Sequence, residues 1–111
     1  MALSRKFRLS DEREIRKIFR YGRSINSEFF QIKFNFSENN QSKFAVIARA
    51  KNFKNAASRN KIKRRISEII RINISRVKPG FVILVIAKEK ALILDKNSLK
   101  TNLLKDLGKL K

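Results

Sequence analysis

The sequence predicts an α+β sandwich with the element order α-β-β-β-α-β-α, a mostly antiparallel sheet and one long basic helix. Apolar residues recur at helical spacing in three segments, whereas EFFQIKFNF, residues 28–36, alternates apolar and polar residues as a half-buried strand does. The run FVILVIA, residues 81–87, is apolar throughout, which is typical of a strand covered on both faces. A length of 111 residues with 42% hydrophobic residues favours a single folded domain over residues 1–111.

The first helix is predicted in SDEREIRKIFRYG, residues 10–22. Ser10 or Asp11 provides an N-cap, acidic residues fill the first turn, where the helix dipole favours them, and Gly22 can end the helix. The apolar face of this helix consists of Ile15, Ile18 and Phe19.

Strands are predicted in the next segments. The alternation in residues 28–36 gives one buried face, formed by Phe30, Ile32, Phe34 and Phe36. The opposite face is polar and available to a ligand, and it carries Gln31, Lys33 and Asn35. RSIN, residues 23–26, predicts a short edge strand, and KFAVIARA, residues 43–50, predicts a further strand. The short loop SENNQS predicts that the strands on its two sides pair as an antiparallel hairpin.

The long helix is predicted over residues 56–77, ended by Pro79 and Gly80. Its core side carries Ile62, Ile66, Ile69, Ile70 and Val77. The internal strand at 81–87 follows, and a closing helix is indicated by Leu99, Leu103, Leu107 and Leu110.

The charge of the chain favours a polyanionic partner. Twenty-eight Lys and Arg residues against nine Asp and Glu residues give a formal net charge of +19, whose self-repulsion a nucleic acid would offset. The chain has no Cys and no His, which excludes a cysteine nucleophile, thiolate zinc sites and the usual general base. Only three acids lie close together, Asp11, Glu12 and Glu14, and we interpret them as helix-start charges and not as a metal site.

The sequence does not predict a membrane protein. Its longest apolar run, FVILVIA, is much shorter than the roughly 20 residues that span a bilayer. The N-terminal segment MALSRKFRLS lacks the apolar core of a signal peptide. We therefore expect a soluble, cytoplasmic protein without a membrane partner.

The long helix concentrates the positive charge on its surface. At about 100° per residue, the side that points away from the core carries Asn60, Lys61, Arg64, Glu68 and Arg71. Arg59 and Lys63 are predicted to lie nearer the core, beside the sheet edge. A solvated helix face usually mixes signs, but Glu68 is the only acid between residues 39 and 88, so we favour a binding surface for phosphates.

The segment KNFKNAASRNKIKRRISEIIR resembles the basic signature of the bacterial ribonuclease P protein subunit. In that signature, paired basic residues precede an Asn-Ala step, followed by Arg-Asn-Arg, by Lys-Arg and by a further Arg before an acid. The matching positions are Lys51, Asn55, Ala56, Arg59, Asn60, Lys61, Lys63, Arg64 and Glu68. The resemblance extends to most of the chain, because chain length and element order also agree. A first helix that ends with Phe19 and Gly22, and a strand that carries Phe30, belong to it as well.

The resemblance implies a non-catalytic subunit with a fold like domain 2 of ribosomal protein S5. The partner RNA would carry the active site and most of the magnesium and would remove the 5′ leader of precursor tRNA, so that neither catalytic nor metal-binding residues are expected in the chain. Residues expected to bind the RNA subunit are Lys51, Asn55, Arg59, Asn60, Lys61, Lys63, Arg64 and Arg65. Residues expected to bind the leader are Ile15, Phe19, Gln31 and Lys33.

The chain departs from the family pattern at several positions. Ser67 replaces the last Arg, Asn52 replaces the second of the paired basic residues, and Lys54 stands where Gly is frequent. Ile15 and Lys33 occupy positions that are often aromatic. The sequence also allows two other hypotheses for the function, a structural RNA-binding protein such as a ribosomal protein and an autonomous nuclease. A second surface for a single-stranded leader would distinguish a ribonuclease P subunit from the former, and activity without RNA would identify the latter.

Overall fold

The computed structural model describes residues 7–37, 42–49, 53 and 55–110. Over these residues the predicted order α-β-β-β-α-β-α is confirmed. The elements are α1 (Glu12–Tyr21), β1 (Arg23–Asn26), β2 (Phe30–Phe36), β3 (Lys43–Ile47), α2 (Ala56–Ile72), β4 (Phe81–Ala87) and α3 (Lys96–Leu107).

The strands form one sheet in the order β1-β2-β4-β3. β4 is antiparallel to β2 and parallel to β3, and β1 is antiparallel to β2, so the sheet is mostly antiparallel as predicted. The predicted hairpin between β2 and β3 is wrong, because β4 lies between them. All seven residues of β4 are buried. β2 and β3 cover the two edges of this apolar strand, and helices cover its two faces.

The two faces of the sheet are covered by different helices. The larger core lies between the sheet and α2 with α3, and alternate residues of β4 such as Ile83 and Val85 point into it. Val82 and Leu84 point to the other face, where they pack against Ile18 of α1. The sheet therefore separates α1 from α2 and α3.

One residue of the predicted buried face of β2 lies outside the core. Phe30, Ile32 and Phe34 are buried, but Phe36, the last residue of the strand, is 67% exposed. Its ring stacks on that of Phe81 with the centroids 5.2 Å apart. The alternation assigns the side of the strand correctly, but it does not show where the covering helices end.

The ends of α1 are fixed by a cap and by a glycine. Of the two predicted cap residues the structure selects Asp11, whose Oδ1 accepts a hydrogen bond from the backbone N–H of Arg13 at 2.9 Å. α1 ends at its C-cap Gly22, where the backbone passes so close to its neighbours that a side chain would not fit. A Cβ atom there would lie 2.5 Å from the carbonyl oxygen of Ile18 and 3.1 Å from that of Phe34.

α2 ends five residues before the predicted boundary. Its four buried isoleucines, Ile62, Ile66, Ile69 and Ile70, are the predicted ones. At Asn73, both the backbone N–H and the side-chain amide donate to the carbonyl oxygen of Ile69, at 3.0 and 2.8 Å. Asn73 is the C-cap of the helix, and its side-chain amide adds a second hydrogen bond to the carbonyl oxygen that accepts the last α-helical one. A 3₁₀ turn at Ile74–Arg76 then carries the chain on to the buried Val77.

Candidate nucleic-acid interface

The first turn of α2 is organised by Asn55. Its Oδ1 accepts a hydrogen bond from the backbone N–H of Ala57 at 2.8 Å, which is the ordinary arrangement of an N-cap. Asn55 was predicted to bind RNA, and in this structure its side-chain oxygen is engaged within the protein. The two following alanines have no side-chain polar groups, so this end of the helix leaves room for a ligand beside the backbone.

Arg59 links α2 to the segment that precedes it. Its Nη1 donates a 3.0 Å hydrogen bond to the carbonyl oxygen of Phe53, whose ring is only 1% exposed. Arg59 is itself half-buried, as its predicted position near the core requires. One of its guanidinium nitrogens therefore positions the chain before the helix, and the sequence alone does not reveal this role.

Three basic residues in the middle of α2 point into solvent, namely Lys61, Lys63 and Arg64. We define the α2 basic face as the exposed residues Asn60, Lys61, Lys63 and Arg64. The prediction that Lys63 lies nearer the core is wrong, since its side chain is exposed, whereas Arg65 is half-buried. Lys51, the other predicted contact, lies outside the described residues.

The acid at the far end of α2 is paired. Both Nε and Nη2 of Arg71 donate to the carboxylate of Glu68, one turn earlier on the helix. These hydrogen bonds are the largest cause of a shift that lowers the pKa of Glu68 from 4.5 to about 2. Glu68 is thus ionised and its charge is matched by Arg71, so it leaves the positive charge of Lys61, Lys63 and Arg64 unopposed.

The residues predicted to bind a leader meet on the α1 side of the sheet. Lys33 Nζ donates a 3.0 Å hydrogen bond to the carbonyl oxygen of Phe19, at the end of α1. Gln31 lies two residues earlier on the same face of β2, and its amide donates to Ser24 Oγ at 3.4 Å. Ile15 is half-buried and packs with the cluster formed by Ile18 and Leu84.

α1 covers part of this polar strand face, so the face is less open than the alternation predicts. Phe19 is half-buried, and its ring faces the guanidinium of Arg49, whose Cζ lies 5.2 Å from the ring centroid. We define the Phe19 surface as Phe19, Gln31, Lys33 and Arg49. The arrangement combines an aromatic ring with two cations, which is the composition of a site for single-stranded nucleic acid.

Sequence reasoning missed Arg49. It follows β3 by two residues, and Ala45 and Ile47 of that strand lie on the face that α1 covers. The alternation of KFAVIARA sets Arg49 on the same side as these two residues, and this is the signal that could have found it.

Acidic side chains do not gather on either surface. Among the residues that the structure describes, no three His, Cys, Asp or Glu side chains lie close enough to hold a metal ion. In the same residues, no helix is both long and apolar enough to cross a membrane.

Comparison with known proteins identifies one family. A family model described as Ribonuclease P matches residues 3–111. The ribonuclease P protein component of Thermotoga maritima is 34% identical over 89 residues, which are 80% of this chain and 75% of the relative. That of Finegoldia magna is 30% identical over 103 residues, 92% of this chain and 88% of the relative.

Solved structures show the same architecture. The RNase P protein from Thermotoga maritima superposes with a TM-score of 0.86 at 30% identity, covering 94% of this chain and 97% of its own. The RNase P protein of Staphylococcus aureus superposes with a TM-score of 0.82, covering 92% and 93% of the two chains. Its identity is 23%, so this second likeness concerns the fold.

Proposed function

Because the chain belongs to the ribonuclease P protein family, we propose that it binds the ribonuclease P RNA through α2 and the 5′ leader of precursor tRNA through the Phe19 surface. A member of this family is a subunit of the ribonuclease P ribonucleoprotein, an endoribonuclease that acts in tRNA processing. The family assignment decides against a ribosomal protein. It supports a subunit of a ribonucleoprotein over an autonomous nuclease, for which activity without RNA is the test.

The α2 basic face carries the proposal for RNA-subunit binding. Lys61, Lys63 and Arg64 are exposed within four consecutive residues, and the helix has no acid in its first turn. Like charges this close together on one helix repel one another. Phosphates of an RNA would relieve this repulsion, which supports this face as the docking surface.

The Phe19 surface supports leader binding. A nucleobase or ribose would contact the accessible part of the Phe19 ring, and the ammonium of Lys33 and the guanidinium of Arg49 would attract the adjoining phosphates. The hydrogen bond from Lys33 to the backbone carbonyl of Phe19 holds the ammonium at the end of α1. Because the sheet separates this surface from α2, one protein can contact leader and RNA subunit at once.

In this proposal the chain assists cleavage and does not perform it. The partner RNA would hold the magnesium ions that serve the reaction, and the contribution of the protein is to position the leader next to that RNA. We propose the cytoplasm as the place of action.

The salt dependence of RNA binding tests the proposal. The variant Lys61→Gln, Lys63→Gln, Arg64→Gln removes three exposed charges, and each lost phosphate contact should lower the slope of log affinity against log salt by about 0.9 on a duplex-like site. The affinity for the ribonuclease P RNA is measured by titration at several salt concentrations. A variant that binds with the same slope as the wild type contradicts the proposed docking surface.

A control of equal charge accompanies this variant. Arg76→Gln, Lys78→Gln, Lys105→Gln also removes three exposed cations, but these lie outside α2. A general effect of net charge acts on both variants, whereas only the α2 variant also loses specific phosphate contacts. The control variant should therefore keep most of the wild-type slope. Equal loss in both variants would assign the effect to net charge alone.

A further inference from the structure

A groove of about 500 Å³ lies between the second half of α2 and the start of α3. It is on the α2 side of the sheet and so lies opposite the Phe19 surface. The residues that matter for its chemistry are Arg64, Arg65, Ile72, Lys96, Asn97 and Lys100. We call it the α2–α3 groove.

The groove has an exposed aliphatic wall. Ile72 is 61% exposed, whereas the four other isoleucines of α2 are at most 6% exposed. Ile69, which also lines the groove, is 6% exposed and belongs to the core. Ile72 thus extends the core surface outward as an apolar side chain that the described part of the chain leaves uncovered.

Cations surround this apolar wall. Arg64 and Arg65 come from α2 and Lys96 and Lys100 from α3, and within the described residues none of the four forms an ion pair. The one acid of the groove, Glu68, is bonded to Arg71. Lys96 stands in the first turn of α3, next to the N-cap Asp95, whose carboxylate accepts a hydrogen bond from the backbone N–H of Ser98. The four positive charges repel one another when the groove is empty, and a bound anion would offset this repulsion.

A nucleotide in an unpaired stretch of RNA fits both features. Its phosphates would bind the four cations at the rim, and its base would lie against Ile72. A free inorganic anion would leave the apolar wall unused, and the bases of a duplex are stacked inside it and would not reach Ile72. The RNA subunit is the appropriate source, because Arg64 belongs both to the groove and to the α2 basic face.

We propose that the α2–α3 groove binds an unpaired nucleotide of the ribonuclease P RNA, with its phosphates on Arg64, Arg65, Lys96 and Lys100 and its base on Ile72. The inference rests on the proposed function and adds a binding site on α3, a helix that carries none of the predicted contacts. It extends the RNA surface from the start of α2 to the start of α3.

Two exposed isoleucines allow a matched test of the base contact. Ile72→Ser removes the apolar wall of the groove, and Ile93→Ser alters an isoleucine that is 81% exposed and does not line it. We expect Ile72→Ser to weaken binding of the RNA subunit about tenfold, on the scale of one base contact, and Ile93→Ser to leave it unchanged. Urea unfolding of both variants verifies that they are folded. Equal affinities for the two folded variants would overturn the proposal.

A crosslink identifies the ligand directly. The chain has no cysteine, so Asn97→Cys carries a thiol-directed photocrosslinker at one defined position in the groove. In the reconstituted holoenzyme with precursor tRNA bound, we expect a crosslink to an unpaired nucleotide of the RNA subunit. The control Lys105→Cys carries the same reagent on α3 outside the groove and should not reach that nucleotide. A crosslink only to precursor tRNA or only to paired nucleotides, or none above this control, overturns the assignment.

The test distinguishes failure of the groove from failure of the function. If the chain does not bind the RNA subunit through α2, the variant of Lys61, Lys63 and Arg64 also keeps wild-type affinity. If only the groove assignment fails, that variant binds weakly while Ile72→Ser binds as Ile93→Ser does.

Discussion

Ser27 Oγ donates a 2.5 Å hydrogen bond to Oδ2 of Asp106, a residue that lies 79 positions later in the chain. Asp106 belongs to α3 and is 4% exposed, and Ser27 lies in the turn between β1 and β2. The same hydroxyl lies 3.3 Å from the backbone N–H of Phe30, from which it accepts. The buried carboxylate of Asp106 thus joins α3 to the turn between β1 and β2.

Removal of this bond should destabilise the fold. We expect Ser27→Ala to lower the free energy of unfolding by about 1 to 3 kcal/mol, because a buried carboxylate loses a hydrogen-bond donor. Urea unfolding of Ser27→Ala, Asp106→Asn and the double variant gives the coupling energy between the two residues. A coupling energy near zero would show that the hydrogen bond does not contribute to stability.

The two sides of α2 should respond differently to the same substitution. Ile66 is 0% exposed and Ile72 is 61% exposed. Ile66→Ala should lower the free energy of unfolding by about 2 to 5 kcal/mol because it leaves a cavity in the core. Ile72→Ala should change it little, and comparable losses in both variants would mean that the rotation of the helix is wrong.

Gly22 is required for the close approach between α1 and β2. Gly22→Ala should lower the free energy of unfolding by about 1 to 3 kcal/mol, since the new Cβ collides with the carbonyl oxygens of Ile18 and Phe34. The matched control is Gly108→Ala, where the nearest atoms would be 3.3 and 3.4 Å away. Thermal unfolding should show a clearly larger shift for Gly22→Ala than for the control.

Loss of the Phe19 surface should affect precursor tRNA selectively. The double variant Phe19→Leu, Lys33→Gln keeps an apolar side chain between α1 and the sheet, but it removes the aromatic ring and the cation. We expect the holoenzyme to bind precursor tRNA roughly tenfold more weakly, by the loss of one base contact, and mature tRNA as before. Both affinities are measured by titration after a melting curve has shown that the variant is folded.

A second ring serves as the control for this experiment. Phe36 is 67% exposed and lies at the far end of β2 from Gln31, so Phe36→Leu should leave both affinities unchanged. An equal loss for precursor and mature tRNA in the double variant would exclude this surface as the leader site.

The ion pair between Glu68 and Arg71 predicts a stability loss in acid. The pKa of Glu68 in the folded state is lowered to about 2, below the ordinary value of 4.5, and the hydrogen bonds from Arg71 are the largest cause. The ionised carboxylate therefore stabilises the folded state above pH 4.5, and this contribution is lost as the pH falls from 4.5 toward 2. Glu68→Gln should lose less stability than the wild type over that interval.

Urea unfolding at a series of pH values measures this difference. Glu89→Gln is the control, because Glu89 is an exposed acid outside α2, and it should follow the wild-type curve. If Glu68→Gln follows it as well, the ion pair does not contribute to stability in solution.

Local periodicity was sufficient to predict which residues of α2 are buried. Ile62, Ile66, Ile69 and Ile70 repeat at helical spacing, and burial follows from that spacing. The end of α2 was not predictable in this way, since Val77 is buried and continues the apolar pattern, although the chain changes to a 3₁₀ turn after Asn73. The apolar pattern indicates which residues are buried, and a buried residue need not belong to the α-helix.

The candidate site was predictable in composition but not in its internal contacts. The charges of Lys61 and Arg64 can be read directly from the sequence, as can the alternation that sets Lys33 apart from Phe34. The bond from Arg59 to Phe53 and the approach of Arg49 to Phe19 depend on how distant segments meet. The predicted pairing of β2 with β3 failed for the same reason, because strand order is decided by long-range packing.

The position of β4 affects how the protein forms during translation. β4 is the last strand to be synthesised, but it lies between β2 and β3 and pairs with both. Until residues 81–87 leave the ribosome, the nascent chain presents two strand edges without their partner, and such edges invite pairing with other chains. About four fifths of the chain must therefore be made before β4 can pair with β2 and β3. The four-stranded sheet can form only late in the synthesis of the protein.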